Sequence, residues 1–284
     1  MAATAVAPAY AAGTAQALPE ELTVLTANIC GASKGACEGT GTVQEKLQQV
    51  VRQVRLRPST GIIMLQEACE KSHTKALSDA LALAGLGNWA YHHMQARRIT
   101  NGNYFDCDMN GSAPDDRPGP AVLMRKYAGN DITGVTVTFP DVPGDDWRTQ
   151  GAACIWDYGS MLHACSAHFV DEAADVLDGD PDDTRAAAAA RYAEHGYEQR
   201  EENFATFIGG DLNLRYQNST DYANLQPLYF YHEEVDPANR FTTGISKLDY
   251  IFYDPAWDLI ISNTVDNGFS DHKMLYGTLI LPED

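Results

Sequence analysis

The chain has 284 residues, with 39 acidic against 20 basic side chains and a formal net charge of −19. That excess of acid excludes strong non-specific adhesion to nucleic acid, which needs many Lys and Arg to displace counterions. It still allows a phosphodiester substrate held by a local basic rim and a bound cation. Hydrophobic residues make up 44%, ordinary for a globular fold, and no apolar run reaches the roughly 20 residues of a membrane span.

Residues 1–17 are almost all small and apolar, and Ala15-Gln16-Ala17 resembles a cleavage site without a basic segment before it. This reads as the remnant of a signal peptide, so residues 1–21 are expected to form a disordered arm and 22–284 a single domain of an exported protein. Leu22 to Ile29 is apolar and β-branched, a buried strand that ends in Asn28. Val43 to Arg57 carries Val43, Leu47, Val50, Val51 and Val54 at helical spacing, with the charges expected on the opposite, solvated face. Gly61 to Leu65 is a second buried strand and delivers Gln66 and Glu67 at its end. Strand, helix and strand at this length suggest a crossover unit.

Ser72 to Leu86 reads as a second helix and Trp89 to Arg97 as a strand. Asn101 to Pro120 is a polar loop. Strands follow at Ala121 to Met124 and at Ile132 to Phe139, where apolar and polar residues alternate. Gly159-Ser160 signals a type II′ hairpin that leaves His168 at a strand exit. Asp171 to Asp183 is turn-rich, and an alanine-rich helix starts at Asp183 or Thr184. The most informative stretch is Phe204 to Arg215. Its apolar run stops at Gly209-Gly210 and releases Asp211 and Asn213, which in extended chain point the same way. Gln217 to Asn224 reads as a polar loop, followed by irregular sequence to Arg240. Lys247 to Tyr253 is a strand bearing Asp249. Asp271-His272 precede the final strand, Met274 to Leu281.

The six cysteines are even in number and their spacing resembles no zinc site. A two-residue turn at Gly159-Ser160 sets Cys154 opposite Cys165, close enough for a disulfide. Cys30 and Cys37 flank a glycine-rich loop that a bridge would close, which leaves Cys69 for Cys107. Such a framework fits an oxidising, extracellular compartment.

Polar residues at the ends of buried strands are individually ordinary turn formers or caps. Asn28, Glu67, His168, Asp211, Asn213, Asp249, Asp271 and His272 together suggest a shared cleft. Carboxylates and an amide without clustered Cys or His suit a hard cation, Mg²⁺ with Mn²⁺ or Ca²⁺ as alternatives. Such a cation beside imidazoles suits phosphate ester cleavage.

The motifs TANI, LQEA, SAHF, GGDLN, KLDYIF and FSDHK, in that order, resemble the endonuclease/exonuclease/phosphatase superfamily over residues 22–281. The resemblance implies a four-layer α/β/β/α sandwich with two central mixed sheets, as in deoxyribonuclease. It implies that Glu67 is the main metal ligand, helped by Asn28 and Asp271, and that Asp211 orients or deprotonates the attacking water. Asn213 and His168 would bind the phosphate or leaving group, and Asp249 would orient His272. Arg148 stands where some nucleases place a phosphate-binding Arg. The chain departs from the nuclease pattern at Trp89 to Arg97, which lacks the acid that would pair with His168. The insertion at Asn101 to Pro120 is polar, which disfavours membrane insertion.

The function expected on these grounds is that of a secreted, monomeric, metal-dependent phosphodiesterase, an endonuclease on DNA or RNA, with no protein partner implied. The alternatives are a phosphatase or phospholipase-type enzyme on inositol phosphates or lipids, and an inactive binding module on the same scaffold. Arg148, Arg215, Lys247 and Lys273 are the basic residues expected near the cleft.

Overall fold

A computed structural model of the chain describes residues 19–31, 41–96, 107, 115–127, 131–140, 151–170, 181–266 and 268–282. The elements run β1 (Glu21–Asn28), α1 (Val43–Leu56), β2 (Thr60–Cys69), a π-helical turn (Glu70–Lys75) continuous with α2 (Ala76–Leu83), β3 (Trp89–His93), β4 (Pro118–Arg125), β5 (Ile132–Thr138), β6 (Gly151–Asp157), β7 (Leu162–His168), α3 (Pro181–Glu201), β8 (Ala205–Asp211), α4 (Ser219–Tyr231), β9 (Glu233–Glu234), β10 (Asp249–Tyr253), β11 (Asp258–Val265) and β12 (Met274–Ile280).

The strands form two six-stranded sheets, ordered β11-β12-β1-β2-β4-β3 and β5-β6-β7-β8-β10-β9. β1 with β2 and β7 with β8 are parallel, and the remaining pairs are antiparallel. The central strands read as continuous apolar runs because both of their faces are covered. Leu22, Val24, Ile62, Met64, Ile155, Phe207 and Ile251 fill the layer between the sheets. Their neighbours one step along, Leu25, Ala27, Ile63 and Leu65, pack instead against Leu47, Val50 and Leu77 of α1 and α2. On the far side Ile208 and Phe252 meet Ala189 and Tyr192 of α3 and Leu225 of α4. Each fully buried aliphatic or aromatic side chain contributes about 1.5–3 kcal/mol. The four-layer sandwich is therefore present.

α1 starts at a capping box, in which Thr42 Oγ1 accepts from Glu45 N and Glu45 Oε2 accepts from Thr42 N. Its buried face includes Lys46 as well as the valines, so not all of its charges face solvent. The hairpin between β6 and β7 has the expected register, Cys154 opposite Cys165, but not the expected turn. Pairing ends at Asp157 and Leu162, and the positive φ falls on Met161 and not on Gly159. Asp157 Oδ1 accepts from Gly159 N, so an Asx turn replaces the type II′ form.

α4 occupies a stretch expected to be loop and irregular chain. Asn218 caps it by accepting from Thr220 N and Asp221 N, and Pro227 lies inside it. β5 is an edge strand, mostly exposed on both faces. Disulfides join Cys69 to Cys107 and Cys154 to Cys165, with Cα separations of 6.2 and 4.1 Å. Cys30 is disulfide-bonded. The expected Cys30–Cys37 pairing rests on Cys37, which lies outside the described residues, as do residues 1–18 of the expected arm, most of the loop from Asn101, and Arg148. Among the described residues no helix is long and apolar enough to cross a membrane.

Candidate active site

β8 sits between a parallel and an antiparallel neighbour, and register does the first part of the assembly. Asp211 is opposite His168 on β7 and opposite Asp249 on β10, so three of the expected residues share one level. The glycine before Asp211 is required there. Gly210 has φ +131°, and a Cβ on it would lie 2.0 Å from the Ala167 carbonyl oxygen. The Gly-Gly step thus lets two strands close together where the polar residues emerge.

The other sheet supplies Asn28 at the end of β1 and Glu67 on β2. Glu67 has φ +52° and lies where the β2–β4 register shifts between Leu65 and Ala68. Buried Asn28 joins the two sheets: its Nδ2 donates to Glu67 Oε1 at 3.1 Å and to Asp211 Oδ2 at 3.0 Å. Its Oδ1 accepts from Cys30 N at 3.0 Å.

Asp211 Oδ2 also faces two imidazoles, His168 Nε2 at 3.7 Å and His272 Nε2 at 3.6 Å. His272 Nδ1 lies 2.8 Å from Asp249 Oδ2, a charge-assisted contact inside the protein. Burial would lower the His272 pKa, but the charges of Asp249 and Asp211 outweigh it and raise the value to about 11. Burial also raises the Asp211 pKa, against the pull of His272 and His168. Asp249 is fixed through its backbone, whose N–H donates to Thr242 Oγ1 at 3.1 Å, while its Oδ1 is buried without a hydrogen-bond partner. One donor atom each from Asp211, Asp249 and His272 lies within 4.8 Å of the others. A protonated imidazole cannot ligate a metal, so this trio suits proton handling better than coordination.

Asn213 has φ +50°; its N–H donates to Asp211 Oδ1 at 3.1 Å and its Nδ2 to the Phe169 carbonyl at 2.9 Å. Asp271 sits nearer solvent, its Oδ1 3.1 Å from Cys30 Sγ. All of the expected site residues within the described chain therefore come to one rim, where the ends of β1, β2, β7 and β8 meet the starts of β10 and β12.

Two basic residues behave differently from expectation. Lys247 is fully buried, paired with Glu234 and bonded to the Asp236 carbonyl and Asn239, so it does not line the cleft. Lys46, absent from the expected set, lies under the rim and donates to the carbonyls of Ile29 and Cys30 at 2.8 and 3.0 Å. Burial lowers its pKa to about 8, while the charges of Glu67 and Asp271 pull the other way. Its spacing from Val43 and Val50 was the available signal: Lys46 falls on the apolar stripe of α1.

The chain is also similar to known proteins in sequence and fold. The sequence model of the Endonuclease/Exonuclease/phosphatase family fits residues 25–272. No curated protein matches the chain by sequence. Among solved structures, an endonuclease/exonuclease/phosphatase from Beutenbergia cavernae DSM 12333 superposes with TM-score 0.65 and 18% identity, over 93% of this chain and 72% of that one. The human Nocturnin catalytic domain with bound sulfate gives TM-score 0.66 and 14% identity, over 93% and 94%. D. rerio TDP2 complexed with single strand DNA product gives 0.57 and 15%, over 92% and 99%. At these identities the structural likeness speaks for the fold, while the family model spans most of the chain and its members are hydrolases acting on phosphoester bonds. The chain belongs to the Endonuclease/Exonuclease/phosphatase family.

Proposed function

We propose that this chain is a divalent-metal-dependent phosphodiesterase, an extracellular endonuclease acting as a monomer on DNA or RNA. The observation that carries the reading is the position of Asp211, a buried carboxylate flanked by two imidazoles and an amide. The donor set at the rim fits a hard cation. The carboxylates of Glu67 and Asp211 converge on the single Asn28 amide, and Asp271 adds a further oxygen donor beside Lys46. Glu67, Asn28 and Asp271 would hold the ion, Mg²⁺ or alternatively Mn²⁺ or Ca²⁺. When bound, the ion would neutralise charge on phosphoryl oxygens.

The chain's own residues then divide the work. Asp211 takes a proton from the attacking water. Burial raises its pKa and strengthens it as a base, and the two imidazoles pull the other way. Asp249 holds the His272 ring through Nδ1, so that Nε2–H is presented to the charge that builds on the phosphoryl group. His168 stands on the opposite side of Asp211 as a donor to phosphate or leaving group. Asn213 keeps a second amide N–H for the same purpose, because its bond to Phe169 uses only one. Arg148 is carried as a further phosphate contact.

A relative solved with a single-stranded DNA product supports the nucleic-acid reading, and the disulfides support export. The net charge of −19 keeps a second substrate class in view, inositol phosphates or lipids. The test is plasmid nicking with Mg²⁺, with and without EDTA, beside release of phosphate from phosphoinositides. Nicking abolished by EDTA is the expected result. Undiminished nicking in chelator refutes the metal dependence, and turnover of phosphoinositide alone transfers the site to the second class.

A further inference from the structure

Away from this rim, side chains with metal-binding chemistry meet inside the core between α3 and the second sheet. Cys154 and Cys165 are cross-strand partners on β6 and β7. His163 lies two residues before Cys165 and so shares its face, and His195 packs over that face from α3. One donor atom from each of Cys154, His163, Cys165 and His195 lies within 4.8 Å of the other three, and all four residues are buried. His163 Nε2 is 3.1 Å from Cys165 Sγ. The two imidazole rings are 5.1 Å apart centre to centre, and both rest against Trp156.

A purely apolar core has no use for these imidazoles. His195 Nε2 is buried without a hydrogen-bond partner, which is costly unless a ligand satisfies it. His195 Nδ1 faces Glu198 Oε2 at 3.8 Å. A carboxylate on one ring nitrogen is how proteins aim the other at a metal.

We propose that Cys154, Cys165, His163 and His195 form a structural Zn²⁺ site that takes the place of the Cys154–Cys165 bond when the chain folds under reducing conditions. Tetrahedral Zn²⁺ with two sulfurs at about 2.3 Å and two nitrogens at about 2.0 Å needs donors about 3.3–3.8 Å apart. The four donors lie within 4.8 Å of one another, and on reduction the two bonded sulfurs must part to about 3.8 Å to meet that geometry. The reductant is a dithiol. Its two sulfurs join as the Cys154–Cys165 bond accepts two electrons and two protons, and the resulting thiols release those protons on binding Zn²⁺, which keeps its oxidation state. The site is closed to solvent, so the ion enters as the chain folds. The same four residues thus serve either compartment, as a disulfide where it is oxidising and as a zinc site where it is not.

The full chain, unfolded and reduced with a phosphine that does not chelate zinc, is refolded with Zn²⁺ or with Co²⁺ as a spectroscopic stand-in. One ion per chain is expected to survive desalting in citrate, which strips ions held by oxygen at the rim. The Co²⁺ form should show sulfur-to-metal charge-transfer and tetrahedral visible bands. The oxidised chain should retain none. Cys154→Ser with Cys165→Ser keeps the other cysteines and should lose the bands; His195→Gln should bind at least about tenfold more weakly. The proposal is overturned if the bands survive the double substitution, if His195→Gln binds as tightly, or if the reduced chain refolds without retaining metal. It is equally overturned if the reduced chain fails to fold with zinc present.

Discussion

Replacing Lys247 with Met tests how the segment leading into Asp249 and β10 is anchored. Lys247 lies two residues before Asp249 and is fully buried. Its Nζ pairs with Glu234, donates to the Asp236 carbonyl at 3.0 Å and to Asn239 Oδ1 at 3.1 Å, and lies 3.6 Å from Asp236 Oδ2. The side chains of Glu234 and Asp236 are 4% and 0% exposed. Met fills the same volume and leaves Glu234 without its cation, while Asp236 keeps Arg240, whose Nη1 lies 2.6 Å from Oδ1. Breaking a buried pair from one side costs about 3–5 kcal/mol. For a chain of 284 residues that is a fall in Tm of about 5–8 °C.

The loss has a pH signature. Burial raises the Glu234 pKa above its ordinary 4.5, and Lys247 pulls it back down. A carboxyl with a raised folded value gives stability that is complete below 4.5 and lost as pH climbs through that folded value. Without Lys247 the folded value moves higher and the loss grows. The variant should therefore be hurt most at pH 7 and should recover part of the difference toward pH 5, as Glu234 accepts a proton and is buried neutral. Thermal and urea unfolding followed by circular dichroism at both pH values provide the measurement. A loss below about 1 kcal/mol at pH 7, or a gap that does not narrow at pH 5, refutes the reasoning.

Asp211→Asn removes the proposed base and should lower kcat by about 10²–10⁴ with the fold intact, read on a chromogenic phosphodiester beside circular dichroism; near-normal turnover would dismiss the role. Asp249→Asn keeps the shape beside His272 but not the charge, so kcat should fall while KM holds; a change confined to KM would assign Asp249 to binding. Thr42→Ala breaks the capping box of α1 and should cost about 0.5–2 kcal/mol in urea unfolding. Gly210→Ala forces a Cβ onto the Ala167 carbonyl oxygen and should yield little folded protein; a variant as stable as the parent would show that the strand can shift.

What the sequence made legible was the part governed by burial on both faces. β1, β2 and β8 read as apolar runs because each is sandwiched between a helix layer and the other sheet, and a polar residue at the end of such a run has one rim to go to. That is why Asn28, Glu67 and Asp211 could be named before their convergence was visible. α4 was illegible for the opposite reason. It holds Pro227 and aromatic residues on several sides, so it has no apolar stripe, and only the Asn218 cap marked its start. Lys46 was read as a solvated charge of α1 and Lys247 as a basic residue near the cleft, because most lysines are exposed. Their burial depends on carbonyls and acids that the fold brings from elsewhere, Ile29 and Cys30 for one and Glu234 and Asp236 for the other.

Glu67 shows how local backbone completes what alternation begins. Along β2, Ile62 and Met64 face the other sheet while Ile63 and Leu65 face the helices. Gln66 continues the first series: its Nε2 donates to Ser166 Oγ on β7 at 3.0 Å and to Thr26 Oγ1 on β1 at 3.1 Å. Ser166 Oγ returns the link by donating to the Leu65 carbonyl at 2.9 Å. This latch ties the sheets together just below the rim, where the apolar layer ends. By the same alternation an unbroken strand would aim Glu67 at the helix side, away from Asn28 and Asp211. The register shift and the left-handed backbone at Glu67 redirect it, and its carboxylate reaches Asn28 Nδ2. A non-glycine residue in that region costs of order 1–3 kcal/mol and persists only where the surroundings over-determine it. Here the Gln66 latch on one side and the β2–β4 pairing resumed at Ala68 on the other supply that constraint, so the irregularity is what carries a carboxylate of one sheet to within one amide of the carboxylate of the other.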